Sequence, residues 1–317
     1  MRWRKLTVSA VAVVLVLAVG EIAMRGFFGP ALRVQLDERN LLYRYDAELG
    51  WFPVANSRAN HTGVRQIDVQ HNSRGFRDPE HEPGHRPGLL ILGDSFVWGY
   101  DAEVSERFSE LLRERMSGWD VYNLGISGYG TDQEYLLLQG QFDHYRPALV
   151  LVVYCQMNDE ANNSSSVSHG YHKPYFRLSG DGEPVLDGTP VPRSAHYFFA
   201  EHRLLTKSYW IRLAVKPYFK RRSPPTVHIP NPTAAIFAAM RHFLAARDAT
   251  LIVGFEGANR GLQAVLESEG IPVIDLDTSH RYFTYGRHWT PRGHRVVADR
   301  IHAFLADGGF LGQPRRR

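Results

Sequence analysis

From Gly88 onward, continuous apolar runs alternate with amphipathic segments, and this alternation limits the fold more than any other feature. The apolar runs occupy residues 88–95, 120–127, 148–155, 250–257 and 271–277. The amphipathic segments occupy residues 105–116, 131–142, 234–247, 261–270 and 290–307. Strands that are buried on both faces and alternate with helices form a parallel sheet covered on both sides. The pattern therefore predicts an α/β fold: a three-layer α/β/α sandwich whose five-stranded parallel sheet has flavodoxin-like order.

The N-terminus has the features of an export signal. The basic start MRWRK precedes an unbroken apolar or small stretch at residues 6–20. Basic residues before an apolar core keep that end in the cytoplasm. Signal peptidase could cut at the AVG tripeptide of residues 18–20, giving a secreted form, or the stretch could continue as an uncut span with only Glu21 interrupting it. A buried soluble helix is a third interpretation. We favour a signal-anchor over residues 1–28, with the rest of the chain on the periplasmic side of a bacterial cytoplasmic membrane.

The remaining chain divides by composition. Residues 29–85 are polar and rich in turns, which predicts a β-rich approach segment rather than a separate domain. Residues 86–317 carry the α/β domain, with an insertion at about 160–231. In the insertion, seven Arg or Lys fall between Arg203 and Arg222, aromatic residues are interleaved, and no acidic residue lies between Glu201 and Asp248. This segment could face lipid headgroups or an anionic glycan, although we favour a lid helix with a solvated basic face.

Composition excludes several classes of protein. The pI is about 9.1, but six basic residues at the two ends account for most of it, and the body carries 31 basic against 33 acidic residues. A nearly neutral body argues against nucleic acid as a partner. Cys155 is the only cysteine, so no intramolecular disulfide forms. The 15 histidines are scattered without an HExxH or Cys/His cluster, and we predict no metal.

Three strand ends carry residues suited to acyl-group chemistry. Ser95 follows the first strand in GDSFVWGY, Gly128 follows the second in NLGISGYGT, and Asn158 follows the third in CQMNDE. The carboxyl ends of parallel strands share one edge of a sheet, so these residues can converge. An exposed serine is a candidate nucleophile, and backbone N–H groups with an Asn amide can form an oxyanion hole. The GxSxG pattern is absent, which argues against an α/β-hydrolase.

The motif YGRHWTPRGH supplies a candidate base. His288 follows the fifth strand and precedes the last helix, whereas His294 falls within that helix and is expected to pack or face solvent. A histidine at such a position often serves a distant serine, with a carboxylate two or three residues before it. Those positions hold Tyr285 and Gly286 here, so the histidine lacks its expected acid.

Four motifs together resemble a known superfamily. GDSF, the glycine in NLGISGYG, ND in QMND and the histidine in RHWTPRGH resemble, in order and spacing, the four blocks of the SGNH/GDSL hydrolases over about residues 88–306. LGWFPVANS and NSRGFRD, after an N-terminal anchor, resemble the membrane-anchored bacterial branch. The resemblance implies the SGNH hydrolase fold, no metal and no cofactor. It also implies that Ser95 is the nucleophile and His288 is the base. The oxyanion hole would consist of the Ser95 N–H, the Gly128 N–H and the Asn158 side chain, with Asp94 and Asp159 in supporting roles.

The chain departs from that superfamily in two places. Gln156 replaces the glycine of the usual GxND block, which changes loop shape more than chemistry. The acid before the histidine is also missing. Asp275 or Asp277, at the end of the fifth strand, could substitute for it. A backbone carbonyl could orient the imidazole instead, leaving a slower Ser–His dyad.

These features support three hypotheses on function. The first is an extracytoplasmic serine esterase that hydrolyses acyl esters, in the simplest case acetyl esters, of a carbohydrate, lipid or small molecule. The second is an O-acetyltransferase acting on a cell-envelope polysaccharide, which would share the acyl-enzyme. The third is a catalytically weak, membrane-tethered binding or assembly protein, motivated by the missing acid. The expected partners are an ester-bearing small molecule or glycan and, through the N-terminal helix, a membrane; nucleic acid is not expected.

Overall fold

A computed structural model describes residues 2–33, 42–284 and 286–312, and its chain divides into two units. The N-terminal unit comprises Met1–Leu41 and Arg193–Pro225. The α/β unit comprises Leu42–Pro192 and Thr226–Arg317. The basic part of the insertion thus groups with the N-terminal helix, while residues 160–192 and residues 42–85 of the approach segment group with the sheet.

The elements alternate as strands and helices through most of the chain. The helices are α1 (Arg2–Phe28), α2 (Ser95–Trp98), α3 (Phe108–Arg115), α4 (Thr131–Tyr145), α5 (Asp159–Asn163), α6 (Ala195–Glu201), α7 (Tyr209–Arg222), α8 (Thr233–Ala245), α9 (Arg260–Ser268) and α10 (Pro291–Asp307). The strands are β1 (Tyr43–Asp46), β2 (Gly50–Pro53), β3 (Arg58–Thr62), β4 (Gln66–Gln70), β5 (Gly88–Gly93), β6 (Asp120–Asn123), β7 (Leu149–Cys155), β8 (Val167–Ser168), β9 (Tyr171–His172), β10 (Tyr175–Leu178), β11 (Pro184–Asp187), β12 (Thr250–Glu256) and β13 (Val273–Asp275). Single 3-10 turns occupy Val104–Glu106 and Leu205–Lys207.

A five-stranded sheet forms the centre of the α/β unit. Its strand order is β13-β12-β7-β5-β6, and every neighbouring pair is parallel. Every residue of β5 and of β7 is buried, as expected for strands with a helical layer on each face. The predicted α/β fold with a five-stranded parallel sheet is confirmed, and the chain-order arrangement 2-1-3-4-5 is the flavodoxin-like one.

The approach segment folds as two antiparallel hairpins, β1–β2 and β3–β4. The first hairpin supports the loop that follows β6. The fully buried Trp51 donates from its indole N–H to the Ser127 carbonyl at 3.3 Å, and the Tyr129 hydroxyl donates to the Trp51 carbonyl at 2.5 Å. The segment therefore fixes one of the loops at the carboxyl edge of the sheet.

Helix α1 is an exposed apolar helix. The stretch Trp3–Phe28 has 26 residues, and 18 consecutive residues within it have a mean hydropathy of 2.4, so the helix is long and apolar enough to cross a membrane. An export signal near an N-terminus meets the same criterion. The helix is consistent with an extracytoplasmic location, either as a signal or as an anchor.

His294 lies on α10 with its ring fully buried between Phe108 and Trp289. Burial, followed by the nearby positive charges of Arg107 and Arg77, lowers the pKa of His294 from 6.5 to about 3. The unfolded chain therefore binds a proton below pH 6.5 that the folded chain does not take up until about pH 3. Stability from this group is complete above pH 6.5 and falls as the pH drops toward 3.

We expect the free energy of unfolding to fall more steeply between pH 7 and pH 5 in the wild type than in His294→Gln. The difference in loss should be about 1 to 2 kcal/mol, because linkage removes up to 1.4 kcal/mol for each pH unit below the unfolded pKa. Urea titrations of tryptophan fluorescence at both pH values measure it on the full chain in detergent. Equal losses in the two proteins would contradict a neutral buried imidazole.

Candidate active site

Ser95 begins the short helix α2 directly after β5. The carboxylate of Asp94 caps this turn by accepting from the Phe96 N–H at 2.9 Å, and its other oxygen accepts from the Asn158 amide at 3.0 Å. Burial raises the pKa of Asp94, and the hydrogen bonds from Phe96 and Asn158 oppose this rise without cancelling it. Asp94 therefore joins the ends of β5 and β7 and fixes the backbone from which the partly exposed Ser95 side chain projects.

His288 bridges Ser95 and a second side chain. Its Nε2 lies 2.9 Å from Ser95 Oγ, and its Nδ1 lies 3.1 Å from Asp101 Oδ2. An ionised carboxylate only accepts hydrogen bonds, so Nδ1 carries the proton and Nε2 is free to accept from the serine hydroxyl. The three side chains thus have the connectivity of a Ser–His–Asp triad, with His288 and Asp101 both buried.

Asp101 is held as an ionised acceptor by two donors. Burial would raise its pKa, but hydrogen bonds from His288 and from the Val64 N–H outweigh burial and lower the pKa below its ordinary value. The Val64 N–H reaches Asp101 Oδ1 at 2.7 Å from the turn of the β3–β4 hairpin. Gly63 permits this contact, because a Cβ there would fall 2.1 Å from the same oxygen. The approach segment therefore positions the carboxylate that faces His288.

The ring of His288 is enclosed on the sides that its hydrogen bonds leave free. Tyr100 stacks on it with centroids 4.4 Å apart and an interplanar angle of 23°, and Phe96 lies 5.1 Å away. Gly286 closes against the same ring: a Cβ there would fall 2.4 Å from His288 Cε1, and its φ of +82° disfavours any L-residue. Of the two positions at which an acid was expected before the histidine, position 286 therefore has no room for a side chain.

The proposed substitutes for the missing acid do not contact His288. Asp277 accepts from Arg281 Nη2 at 2.6 Å, and Asp275 lies 3.9 Å from Arg300, with both carboxyl groups largely exposed. The structure does not bring Asp275 or Asp277 to His288, because both side chains are exposed at the end of β13 and Asp101 occupies the position beside Nδ1. Tyr285, the other position considered, lies outside the described residues.

The predicted oxyanion-hole residues lie at adjoining strand ends. None of the hydrogen bonds among the described residues uses the N–H of Ser95 or of Gly128 as donor. Asn158 gives one amide N–H to Asp94, which leaves its second N–H for another acceptor. Asp159 turns inward instead: its carboxylate accepts from the Cys155 N–H at 2.8 Å, and burial raises its pKa well above the ordinary value. Asp159 therefore closes the turn after β7 and lies away from solvent.

Asp101 is the site residue that sequence reasoning missed. The turn after α2 folds back, so that the N–H groups of Gly99 and Tyr100 both donate to the Ser95 carbonyl. An acidic residue six positions after the serine was the available signal, in the stretch SFVWGYD. This acidic residue is a weak signal, because the neighbouring sequence does not show that the β3–β4 turn and the loop of His288 meet at Asp101.

Across the parts of the chain that the structure describes, no group of three or more His, Cys, Asp or Glu side chains is arranged to hold a metal ion. Two further acidic side chains are buried at the start of α4. Lys173 forms a buried ion pair with Asp132. Burial raises the pKa of Glu134 well above its ordinary value, and neither of its carboxyl oxygens accepts a hydrogen bond from the described residues.

No family model and no curated protein matches this chain. Solved structures of the lipolytic G-D-S-L type do match. Esterase EstA from Pseudoalteromonas sp. is 12% identical, with 70% of this chain and 97% of that chain covered at a TM-score of 0.41. A G-D-S-L family lipolytic protein from Veillonella parvula is 13% identical, with 69% and 98% covered at a TM-score of 0.37.

A GDSL-like lipase from Bacteroides thetaiotaomicron is 12% identical, with 70% of this chain and 88% of that chain covered at a TM-score of 0.37. Identities and scores at this level do not establish an activity, so the function rests on the chain's own side chains.

Proposed function

We propose that this protein is a membrane-anchored serine esterase that cleaves acyl esters outside the cytoplasm. The observation that carries the proposal is the hydrogen-bonded series from Ser95 through His288 to Asp101, with donor–acceptor distances of 2.9 and 3.1 Å. A nucleophile, a base and an orienting carboxylate are the parts that acyl transfer through a serine requires. The carboxylate also removes the reason for regarding the chain as a weakened enzyme.

In the acylation step, Ser95 Oγ attacks the ester carbonyl carbon while its proton passes to His288 Nε2. Asp101 accepts the Nδ1–H throughout, so it holds the ring in one tautomer and stabilises the imidazolium that forms. The tetrahedral intermediate then collapses as the alkoxide leaves with the proton from Nε2. The products of this half-reaction are the alcohol and an ester of Ser95.

The negative charge of the intermediate requires donors. We assign this role to the N–H groups of Ser95 and Gly128 and to the second amide N–H of Asn158, which together resemble an oxyanion hole. Water then attacks the acyl-enzyme and gives a proton to His288 Nε2; as the bond to Ser95 Oγ breaks and the carboxylic acid leaves, Nε2 returns that proton to Oγ and restores the serine. A sugar hydroxyl in place of water would give acyl transfer by the same steps.

We further propose that α1 is retained as an uncut anchor. Beyond the apolar residues 6–20, the helix continues to Phe28 with Glu21 and Arg25 as its only further charged residues, so its length suits a single span. Basic residues before the stretch would keep the N-terminus inside, which leaves the α/β unit on the outer side of the membrane. Ester-bearing envelope molecules would then be within reach.

A fluorophosphonate probe tests the proposal. Attack of Ser95 Oγ on phosphorus displaces fluoride and leaves a stable adduct, so the full-length protein should be labelled at Ser95 in detergent. Ser95→Ala should lose the label, and Ser268→Ala, which removes an exposed serine on α9, should keep it. Absence of an adduct at Ser95 in folded protein would contradict the nucleophile assignment.

A further inference from the structure

Glu21, the only acidic residue of α1, forms hydrogen bonds with the N-terminus of α7. Its carboxylate accepts from the Tyr209 N–H at 2.9 Å and from the Ser208 hydroxyl at 3.1 Å, while Arg25 pairs with it at 2.8 Å. Ser208 is the N-cap residue of α7 and makes no cap bond of its own. Glu21 therefore caps α7 from another helix, where a negative charge favours the helix dipole.

Contacts further along both helices extend this attachment. The Trp210 indole N–H donates to the Leu17 carbonyl at 3.1 Å, and the ring lies against Gly20. Near the end of α1 the donors are cations: Arg212 reaches the Leu32 carbonyl at 3.3 Å, and Lys216 reaches the Ala31 carbonyl at 2.7 Å. Helix α7 is therefore held beside the last turns of α1 and the turn that follows them.

Because α7 is attached to α1, the position of α1 in the bilayer sets the depth at which α7 lies. The 26 helical residues Trp3–Phe28 are about 39 Å long, against about 30 Å for the hydrocarbon core. The last turns of α1 would therefore emerge into the headgroup layer on the outer side. A helix attached along residues 17–32 lies at that same level. Trp210 then occupies the interfacial zone where tryptophan and tyrosine side chains concentrate.

The surface of α7 and its preceding turn suits that layer. None of the side chains of α7 is buried. Exposed apolar groups lie next to the cations: Leu204, Leu205, Trp210, Leu213 and Tyr218 are between 41% and 79% exposed. Arg212 and Arg222 stack over the rings of Tyr209 and Tyr218 at 4.5 and 4.6 Å. Exposed apolar side chains alternating with cations, and no carboxylates, are the composition of a helix that binds an anionic interface.

We propose that residues 204–222, here called the interfacial helix, lie in the outer headgroup layer and bind anionic phospholipid while α1 spans the bilayer. This inference rests on the proposed retention of α1. It explains two features together. Glu21, which interrupts the apolar sequence of α1, attaches the basic aromatic segment to the membrane-spanning helix, and that segment forms a helix at the membrane surface. If the segment instead bound an anionic glycan or were covered by another protein surface, its shielding would not depend on phosphatidylglycerol.

Spin labels on the full-length protein in vesicles test this directly. Cys155 is buried, so an introduced exposed cysteine labels selectively. Leu213→Cys reports on the interfacial helix, and Val265→Cys on α9 is its matched control, since the two side chains are 46% and 45% exposed. Accessibility to oxygen, which partitions into lipid, is compared with accessibility to a water-soluble nickel chelate. The vesicles contain phosphatidylcholine with or without phosphatidylglycerol.

The label at position 213 should favour oxygen over the chelate severalfold, more so with phosphatidylglycerol, while the label at 265 stays open to the chelate in both. Reversing two exposed cations, Lys220→Glu with Arg221→Glu, should remove the dependence on phosphatidylglycerol. Equal chelate access at both positions would overturn the proposal. So would shielding that a soluble anionic polysaccharide produces and phosphatidylglycerol does not.

The same samples separate this inference from the proposed function. Fluorophosphonate labelling of Ser95 reports on the esterase site, and the intact mass of the protein reports whether α1 has been cut. Labelled, uncut protein with a solvent-exposed position 213 would refute the lipid contact alone. Unlabelled protein with a shielded position 213 would refute the esterase alone.

Discussion

Ser95→Ala and His288→Ala should each lower kcat for an acyl ester by about 10⁴-fold to 10⁶-fold, because the nucleophile and its base act as one unit. The double variant should be no slower than the slower single variant. Any residual rate would come from binding and from the oxyanion donors. Hydrolysis of p-nitrophenyl acetate by the full-length protein in detergent, with kcat and KM measured separately, provides the comparison.

Controls for this series are side chains outside the site. Ser268→Ala and His280→Ala remove side chains outside the hydrogen-bonded series and should keep wild-type kcat. Losses that multiply in the double variant would mean that Ser95 and His288 act independently, against the 2.9 Å contact between them. Retained activity in Ser95→Ala would remove Ser95 as nucleophile.

Asp101→Asn should lower kcat by about 10³-fold to 10⁴-fold with little change in KM. The amide cannot act as a charged acceptor, so it can turn its NH₂ toward His288 Nδ1 and favour the tautomer whose Nε2 carries the proton. That tautomer cannot take the serine proton. Kinetics with the same ester measure the loss, and circular dichroism verifies the fold.

The matched controls for this variant are the two carboxylates first considered for the role. Asp275→Asn and Asp277→Asn alter side chains that contact Arg300 and Arg281, so they should stay near wild-type activity. Gly63→Ala offers an indirect test, because its methyl group would push on Asp101 without touching His288. A severe loss in Asp277→Asn with an unaffected Asp101→Asn would reverse our assignment.

The central sheet could be predicted because its signals are local. Strands such as β5 and β7 are apolar at every position, and this pattern occurs where both faces of a sheet are covered. Parallel topology then collects the carboxyl ends of the strands at one edge. That rule predicts that four candidate residues lie at this edge: Ser95, Gly128, Asn158 and His288. Their catalytic roles are proposals.

The partner of His288 could not be predicted from local signals. Asp101 and His288 are 187 residues apart, and the Val64 N–H that holds the carboxylate comes from a hairpin 37 residues before Asp101. The acidic residues closest before the histidine in the sequence are Asp275 and Asp277. Both carry the carboxylate that the role needs, but both face solvent. The attachment of the basic segment to α1 is a similar case, with hydrogen bonds joining residues up to 193 apart.

The sequence by itself determined the layered α/β fold, the apolar N-terminal helix and the strand ends at which a serine, a glycine, an asparagine and a histidine stand. Periodicity and composition act over a few residues, so they can be seen without coordinates. Only the tertiary structure decided which carboxylate faces His288 and what Glu21 binds. Each depends on side chains from distant segments meeting at hydrogen-bond distance, and on close approach at Gly63 and Gly286 that leaves no room for other residues.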